Sequence, residues 1–335
     1  MSVTFPTNAE LRRIGSEVAP RMQATRVGFQ IAPERNVNSF LIEWEQEDNS
    51  GGLQQLRGAG GAPPRIKQVG YKRFMYEPGV YGEQSIIGEE YLLKGAGSIT
   101  GDVNVDVTSE VLTRQRQLIT RELDRKEHLI WTMLIQGTIT VYGQGNQIQW
   151  SDTFPVQTFS CNDWDNLGAA TPLLDFRLVR ERGIGKGVSF GSNATAYMNS
   201  VTARKLLSNQ NIADLGGKRI GGGNTLITLA DLQQLFLADD LPRIQIYDDG
   251  YLNDAVTFTK FIPDDVVLVV GKRADGENVA EYHVARNILN PGMAPGSYEF
   301  VKQHLDEVPP NIEVHRGHNG GPVILYPSAV VVMSV

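Results

Sequence analysis

Cysteine is almost absent: Cys161 is the only one in 335 residues. An internal disulfide is therefore excluded, and so is a metal cage built from cysteines. No stretch approaches the ~18 uninterrupted apolar residues that a membrane span needs. Residues 1–20 have no basic start followed by an apolar run, so no secretory signal is expected. The chain is expected to be made in, and to stay in, a cytoplasm-like compartment until release. Excess positive charge is also missing. The net charge is −7, which gives the whole chain no bulk attraction for nucleic acid. Stability must come from packing or from assembly. The length suggests roughly two domains, or one elaborated domain, with a substantial core. The 41% hydrophobic and 21% charged residues are those of an ordinary soluble protein.

The most informative segment is TSEVLTRQRQLITRELDRKEHLIWTMLIQ, residues 108–136, which reads as one helix with Gly137 as its stop. Its 29 residues would extend roughly 43 Å. A helix of that length does not wrap easily around a compact enzyme core. It suggests a strut, and hence a structural protein. Leu112, Ile119, Leu123, Ile130 and Leu134 form one apolar stripe. Glu122 and Lys126 make an i,i+4 pair expected on the wet side. The LIWTMLI end is apolar nearly all round and should be deeply buried, whereas the end with Arg114 and Arg116 should be exposed. TITVYGQGNQIQW then alternates as a hairpin: Ile139 and Val141 on one strand, Ile148 and Trp150 on the other.

Residues 1–37 read as an arm. Thr7 and Glu10 can form a capping box for a short helix ended by Pro20. The rest of the arm lacks periodicity and needs a partner surface to become ordered. Residues 38–94 read as an extended antiparallel excursion. The strands are SFLIEWEQ and RIKQVGYKRFMYEP, with Gly58, Gly60, Gly61, Pro63 and Pro64 punctuating a turn. A two-stranded ribbon is marginal alone in water, so this one should lie on something else, such as another copy. Arg57, Arg65, Lys67, Lys72 and Arg73 occur with no acidic residue between them. They form either a basic patch for an acidic neighbour or a solvated ribbon face. Asp239, Asp240, Asp248, Asp249, Asp254, Asp264 and Asp265 crowd a later segment whose only basic residues are Arg243 and Lys260.

Residues 171–185 suggest a helix, PLLDFRLVRERG, with Pro172 in its first turn. From about Gly187 to Tyr298, short strands (KGVSFG, RIQIYD, AVTFTKF, DVVLVVG) alternate with helices (NSVTARKLLSN, LADLQQLFLAD) in an α+β or α/β module. NIEVHRGHNGGPVILYPSAVVVMSV reads as two strands that return the terminus to the core. The glycine-rich GGKRIGGGN, with Gly216, Lys218 and Gly222, lacks the spacing and hydroxyl of a phosphate loop and reads as a mobile loop. His315 and His318 fall in a Gly-rich turn with no metal motif nearby. His128 and His283 read as packed side chains. The aspartate pairs could bind a hard cation, but turns and helix ends explain them more simply. No catalytic constellation emerges, so no cofactor, metal or enzymatic activity is expected.

The order of these parts resembles the major capsid proteins of tailed bacteriophages. It is most similar to the lambda-type family, major capsid protein E, with the Hong Kong 97 phage fold. Three stretches carry the resemblance: RELDRKEHLIWTMLIQGTITVYG (121–143), FIPDDVVLVVG (261–271) and VILYPSAVVVMSV (323–335). It implies an α+β fold with an N-terminal arm (1–37), an extended loop (38–94) and a peripheral domain (95–185) holding the spine helix (108–136) and hairpin (138–156). An axial domain (186–300), with a loop at Gly216, Lys218 and Gly222, would precede C-terminal strands (301–335) that rejoin the peripheral domain. The implied function is an icosahedral shell of hexamers and pentamers around double-stranded DNA, formed as a procapsid that expands on packaging. Subunit contacts would fall on Arg57, Arg65, Lys67, Lys72, Arg73, Arg114 and Arg116. Implied partners are further copies of the chain, a separate scaffolding protein (only about 37 residues precede the extended loop), a portal protein and a decoration protein. The chain would be made in the host bacterial cytoplasm and end in the virion. Some relatives crosslink subunits through a lysine, for which Lys67 or Lys72 could serve. The alternatives are the shell of a bacterial compartment or gene-transfer particle and, from another class, a cytoplasmic nucleotide- or metal-binding enzyme.

Overall fold

The computed structural model describes residues 2–4, 6–47, 53–57, 59–62, 65, 71–95, 104–142, 147–161, 163–166, 168–220, 227–253, 256–304 and 308–335. In chain order its first elements are β1 (Ser2–Thr4), α1 (Asn8–Ala24), α2 (Gly28–Ile31), β2 (Glu34–Asn36), β3 (Ile42–Glu47) and β4 (Tyr71–Tyr76). Then come β5 (Gly79–Gly88), α3 (Glu89–Gly95), β6 (Asn104–Asp106), α4 (Thr108–Gln136), β7 (Thr138–Tyr142), β8 (Ile148–Thr153), β9 (Gln157–Ser160) and α5 (Pro172–Glu181). The next group is β10 (Val188–Ser189), β11 (Thr195–Met198), α6 (Ser200–Leu207), α7 (Gln210–Ile220), α8 (Leu229–Ala238), β12 (Arg243–Ile246), β13 (Gly250–Leu252) and β14 (Phe258–Lys260). The last are β15 (Val266–Val270), β16 (Lys272–Arg273), β17 (Ala280–Val284), β18 (Tyr298–His304), β19 (Asn311–Ile324) and β20 (Val330–Ser334).

Two sheets organise the chain. One has the order β12-β11-β15-β20-β9. Its central strands β15 and β20 pair antiparallel from Val266↔Ser334 to Val270↔Val330. Both are valine-rich and nearly continuous in apolar character, as strands buried on two faces must be. The other sheet is built on β19. Residues Asn311–Gly320 pair with β5 along one side, while β18 and then β17 share the other, and β2 adds in parallel to β17. The two C-terminal strands therefore part company: β19 lies against α4, and β20 enters the other sheet between β15 and β9.

The long helix spans Thr108–Gln136, the span expected from its periodicity. Ile119, Leu123, Ile130 and Leu134 of the stripe are buried, and Leu112 is half-buried. Leu129, Trp131 and Met133 are buried too, so the apolar end is enclosed on nearly every side. Gly137 ends the helix in the left-handed region at φ +66°, its N–H bonding to the Met133 carbonyl. α5 carries Pro172 at its first turn, as expected. Among the described residues, no helix is long and apolar enough to cross a membrane.

One expectation for residues 1–37 needs correction. The capping box is present: the Thr7 N–H donates to the Glu10 carboxylate at 2.8 Å, and the Glu10 N–H donates to the Thr7 hydroxyl at 3.3 Å. Yet α1 runs through Pro20 to Ala24. An internal proline costs a helix about 3 kcal/mol. Packing of Val18, Ala19 and Met22 against the core opposes that loss. The rest of the arm finds its partner surface in its own chain. Val27, Phe29, Ile31 and Ala32 are buried, and β2 pairs with β17.

Gly137 yields a prediction. A Cβ there would lie 2.7 Å from the Phe154 carbonyl oxygen as well as adopting φ +66°. Gly276 has φ +80° with nothing within 4 Å of its Cβ position. Gly276→Ala should cost about 1–2 kcal/mol from backbone conformation alone. Gly137→Ala should cost clearly more, measured by denaturant unfolding of the two variants side by side.

Candidate functional site

The ribbon β3–β4 pairs antiparallel from Ile42↔Tyr76 to Glu47↔Tyr71. Its period of two turns Ile42, Trp44 and Gln46 inward and leaves Glu43 and Glu45 exposed. The root is held by the chain itself. Trp44 Nε1 and Gln46 Nε2 both donate to the Ile324 carbonyl at 3.0 Å, and the Tyr76 hydroxyl donates to the Pro322 carbonyl at 3.0 Å. Trp44 stacks on Phe74 at 5.3 Å, and Tyr76 on Trp150 at 4.8 Å. The ribbon therefore needs no second copy to anchor its base. Among the described residues beyond the root, Leu53 is 98% exposed and Leu56 100%.

The expected basic cluster is not a uniform face. Arg57 and Arg65 are exposed in the segment beyond the root, and Lys72 is exposed on β4. Arg73 is matched by Glu43 across the ribbon at 2.5 Å. Lys67 lies outside the described residues, as do Gly58, Pro63 and Pro64. On α4, Arg114 pairs with Glu110 at 2.7 Å and Arg116 is exposed.

The acidic segment is engaged locally. Asp239 takes Arg177 at 2.8 Å, Asp240 accepts from the Ser192 N–H at 2.9 Å, and Asp248 accepts from the Ser200 N–H at 2.8 Å at the start of α6. Asp264 holds Asn199 and Lys260, and Asp265 holds Lys205 at 2.6 Å. These are turn and helix-end roles. Asp254 lies outside the described residues. Gly216 and Lys218 stand on α7, which continues to Ile220 where a loop was expected; Gly222 lies outside the described residues. His315 and His318 sit within the long strand β19 and not in a turn. His128 meets Tyr251 edge-on at 4.9 Å, and His283 Nε2 lies 2.9 Å from Glu281. Among the described residues, no group of three or more His, Cys, Asp or Glu side chains could hold a metal ion.

The arrangement that sequence reasoning missed lies along α4. Glu122 and Lys126 are not on the wet side; both are buried. Lys126 Nζ lies 2.7 Å from Glu122 and 2.8 Å from Glu34 of β2. Arg316 of β19 reaches Glu122 and Glu299 of β18, each at 2.5 Å. Gln115 donates to Glu299 at 2.8 Å and the Ser297 hydroxyl donates to Glu122. Burial alone would raise the Glu122 carboxyl, but Lys126 and Arg316 outweigh it and hold it far below the usual range. Burial pushes the neighbouring His318 down to about 3, with Lys126 adding to the effect and Glu122 opposing it. His318 shares a hydrogen bond of 2.9 Å with the Tyr282 hydroxyl.

Five residues on, Glu127 is 0% exposed. It accepts from the Gly28 N–H at 3.0 Å, Arg26 at 3.0 Å, the Tyr247 hydroxyl at 2.7 Å and Trp131 Nε1 at 3.3 Å. Arg26 also reaches Asp124 at 2.6 Å. A Cβ on Gly28 would lie 2.8 Å from Glu127 Cγ, so glycine is what lets the arm come this close. The sequence did carry a signal. Asp124, Arg125, Lys126 and Glu127 are four consecutive charges. At about 100° per residue they span roughly 300° of the helix, so some must face the core.

Arg316→Met should leave Glu122 and Glu299 buried with less compensation and cost about 3–5 kcal/mol. Arg121→Ala, which removes an exposed pair with Glu83, should cost about 1 kcal/mol or less. Both are read by chemical denaturation. The pH dependence has a definite sign. The Glu122 contribution is present above the ordinary carboxyl value and is lost as pH falls through the depressed one. The unfolded chain protonates His318 near its ordinary 6.5 while the fold resists until about 3. Stability should therefore fall as pH drops from about 6.5, and His318→Gln should flatten the upper part of that slope.

The comparisons with known proteins agree with this architecture. Residues 17–315 match the profile of the family phage major capsid protein E. Among solved structures, the putative capsid protein of an Escherichia coli CFT073 prophage superposes with a TM-score of 0.63 at 13% identity, covering 99% of each chain. A phage-related protein from Bordetella bronchiseptica RB50 gives 0.59 at 10% identity, covering 99% of this chain and 98% of that one. The capsid of a native GTA particle gives 0.51 at 13% identity, covering 92% and 90%. No curated protein matches the chain. The fold is the α+β fold of Hong Kong 97-type capsids, and the chain belongs to the phage major capsid protein E family.

Proposed function

We propose that copies of this chain assemble as hexamers and pentamers into the icosahedral head of a tailed phage, first as a procapsid and then as an expanded shell around double-stranded DNA. The observation that carries the reading is the family match over residues 17–315. The architecture supports it. A 29-residue strut is clamped by buried ion pairs, and a ribbon is anchored at its root but bare beyond it. The bare part, with Leu53, Leu56, Arg57 and Arg65, is the piece offered to a neighbouring copy. Arg116, exposed on α4, is a second contact candidate, along with Lys72.

In this reading residues 1–37 are the arm, 38–94 the extended loop, 95–185 the peripheral domain, 186–300 the axial domain and 301–335 the returning strands. β5 falls in the 38–94 segment but pairs with β19, and the β3–β4 root is held by the same strand's end, so the part offered to a neighbour lies beyond that root. Each exposed ion pair between subunits adds only ~0–1 kcal/mol. Symmetry repeats the contact until the shell closes. A scaffolding protein, a portal protein and a decoration protein are the expected partners. The net charge of −7 suits a wall that encloses DNA without gripping it. The chain is a structural virion component made in the host cytoplasm. Of the aspartates on which an enzyme reading would rest, Asp239, Asp240, Asp248, Asp264 and Asp265 are engaged in hydrogen bonds and ion pairs.

The test is velocity sedimentation of the purified chain with and without its candidate scaffolding partner, then negative-stain electron microscopy of the fast fraction. Uniform shells or capsomers are expected, and a monomer that never assembles overturns the reading. Arg57→Glu combined with Arg65→Glu should lower shell yield severalfold. The melting temperature of the monomer should stay unchanged, because both side chains are exposed.

A further inference from the structure

The hairpin β13–β14, which follows Asp248 and Asp249, turns apolar side chains to solvent. Its strands pair from Gly250↔Lys260 to Leu252↔Phe258. The strand period of two sends Tyr251 inward, where it meets His128 and Phe261. Leu252 and Phe258 stand opposite each other on the outer face, 60% and 54% exposed, and Val256 near the tip is 76% exposed. The tip is fixed in place. The Val256 N–H donates to the Asn253 carbonyl at 2.8 Å, the Asn253 N–H to the Thr257 carbonyl at 3.0 Å and the Thr257 N–H to Asn253 Oδ1 at 2.9 Å. A surface that is ordered before its partner arrives binds at lower entropic cost.

The charge around this apolar surface has one sign. Residues 248–259 contain Asp248, Asp249 and Asp254 and no lysine or arginine. Lys260, which follows, is held by Asp264 at 2.8 Å. Of the cations on neighbouring elements, Arg26 is taken by Asp124 and Glu127, and Arg125 lies over the Tyr81 ring. Asp248 starts α6 by accepting from the Ser200 N–H. Asp249 is exposed; its carboxylate accepts from the Gly250 N–H at 3.3 Å and pairs with no lysine or arginine among the described residues. The segment beyond the ribbon root has the opposite character. Leu53 and Leu56 are almost wholly exposed, so their own chain does not cover them. Residues 49–76 include no aspartate or glutamate, and Arg57 and Arg65 are exposed. Two apolar surfaces of opposite charge attract each other, whereas each would repel its own copy. That complementarity selects the occupant of the hairpin. The groove between β5 and α4 is a poorer host for the segment, because its carboxylate, Glu83, is already paired with Arg121.

We propose that Leu53, Leu56, Arg57 and Arg65 of one copy dock on Leu252, Phe258 and Asp249 of the next. Donor and acceptor are different surfaces of one chain, so the contact is heterologous and repeats from copy to copy around a closed ring. The proposal rests on the shell reading above and names the surface that the ribbon segment meets; the test separates the two. Leu56→Cys and Leu252→Cys are introduced together into the full chain, and assembled particles are treated with a short bis-maleimide. Cys161 is half-buried and its thiol is pushed well above the ordinary range by burial, so it reacts slowly. The double variant should give a ladder of linked chains up to the full capsomer. The parent shells, shells of either single variant and the unassembled double variant should give none. A ladder from one single variant alone would mean that like meets like, and overturns the pairing. Arg57→Asp and Asp249→Arg should each lower shell yield severalfold and leave the melting temperature of the monomer unchanged, because both side chains are exposed. Combined in one chain, they restore the pair with its signs reversed and should recover much of the parent yield. If parent shells form, but no ladder appears and the combined variant assembles no better than either single one, the docking is overturned and the shell reading stands. If the parent forms no shells under any condition, the shell reading falls and takes the docking with it.

Discussion

Everything else in the molecule is arranged around the burial of charge along one helix. α4 is long because its apolar stripe runs its full length, but it is placed by carboxylates. Glu127 is completely enclosed and takes four donors, one each from the arm's backbone, the arm's Arg26, the helix's own Trp131 and Tyr247 beside β12. A buried carboxylate that lost these donors would be severely penalised. The arm, the helix and the β12 end of the other sheet are therefore positioned together or not at all. Glu122, five residues earlier, does the same for β2, β18 and β19, through Lys126 and Arg316.

Ion clusters of this kind are a poor way to gain stability, because desolvation consumes much of the attraction. What they supply is directionality. An apolar helix could slide or rotate on an apolar sheet at little cost, whereas the Arg316 fork between Glu122 and Glu299 has one good geometry. A shell subunit has reason to favour that. The shell is built from many weak repeated contacts, and those contacts close into a symmetric surface only if every copy holds the same shape. The stable interior thus contrasts with the exposed apolar and basic segments beyond the ribbon root. The first defines the subunit, and the second is the part proposed to meet its neighbours.

Much of this was readable in advance. The spine helix, its Gly137 stop, the Thr7–Glu10 box, Pro172 at the start of α5 and the two C-terminal strands follow from local periodicity and caps, which depend on residues within a few positions of each other. The errors share one cause. Pro20 was read as a stop because its local cost was visible and the packing of Val18, Ala19 and Met22 was not. GGKRI was read as loop from its glycines although it continues α7. His315 and His318 were read as a turn because HRGHNGG has the composition of one, whereas β5 on one side and β18 and β17 on the other hold it in an extended strand. The basic run from Arg57 to Arg73 was open to two readings, a docking patch or a solvated ribbon face, and the sequence could not show that Arg73 meets Glu43 across the ribbon.

By itself, the sequence determined the strut, the order of the segments, the lack of disulfides and the resemblance to a phage shell protein. Those features depend on composition and short-range pattern. Only the tertiary structure decided which charges are buried and which segments find their partner within the same chain. Glu122 and Lys126 make an i,i+4 pair whether wet or dry. Whether they face water depends on Arg316, 194 residues from Glu122 along the chain. That contact depends on the path of the whole chain, and no local pattern encodes it.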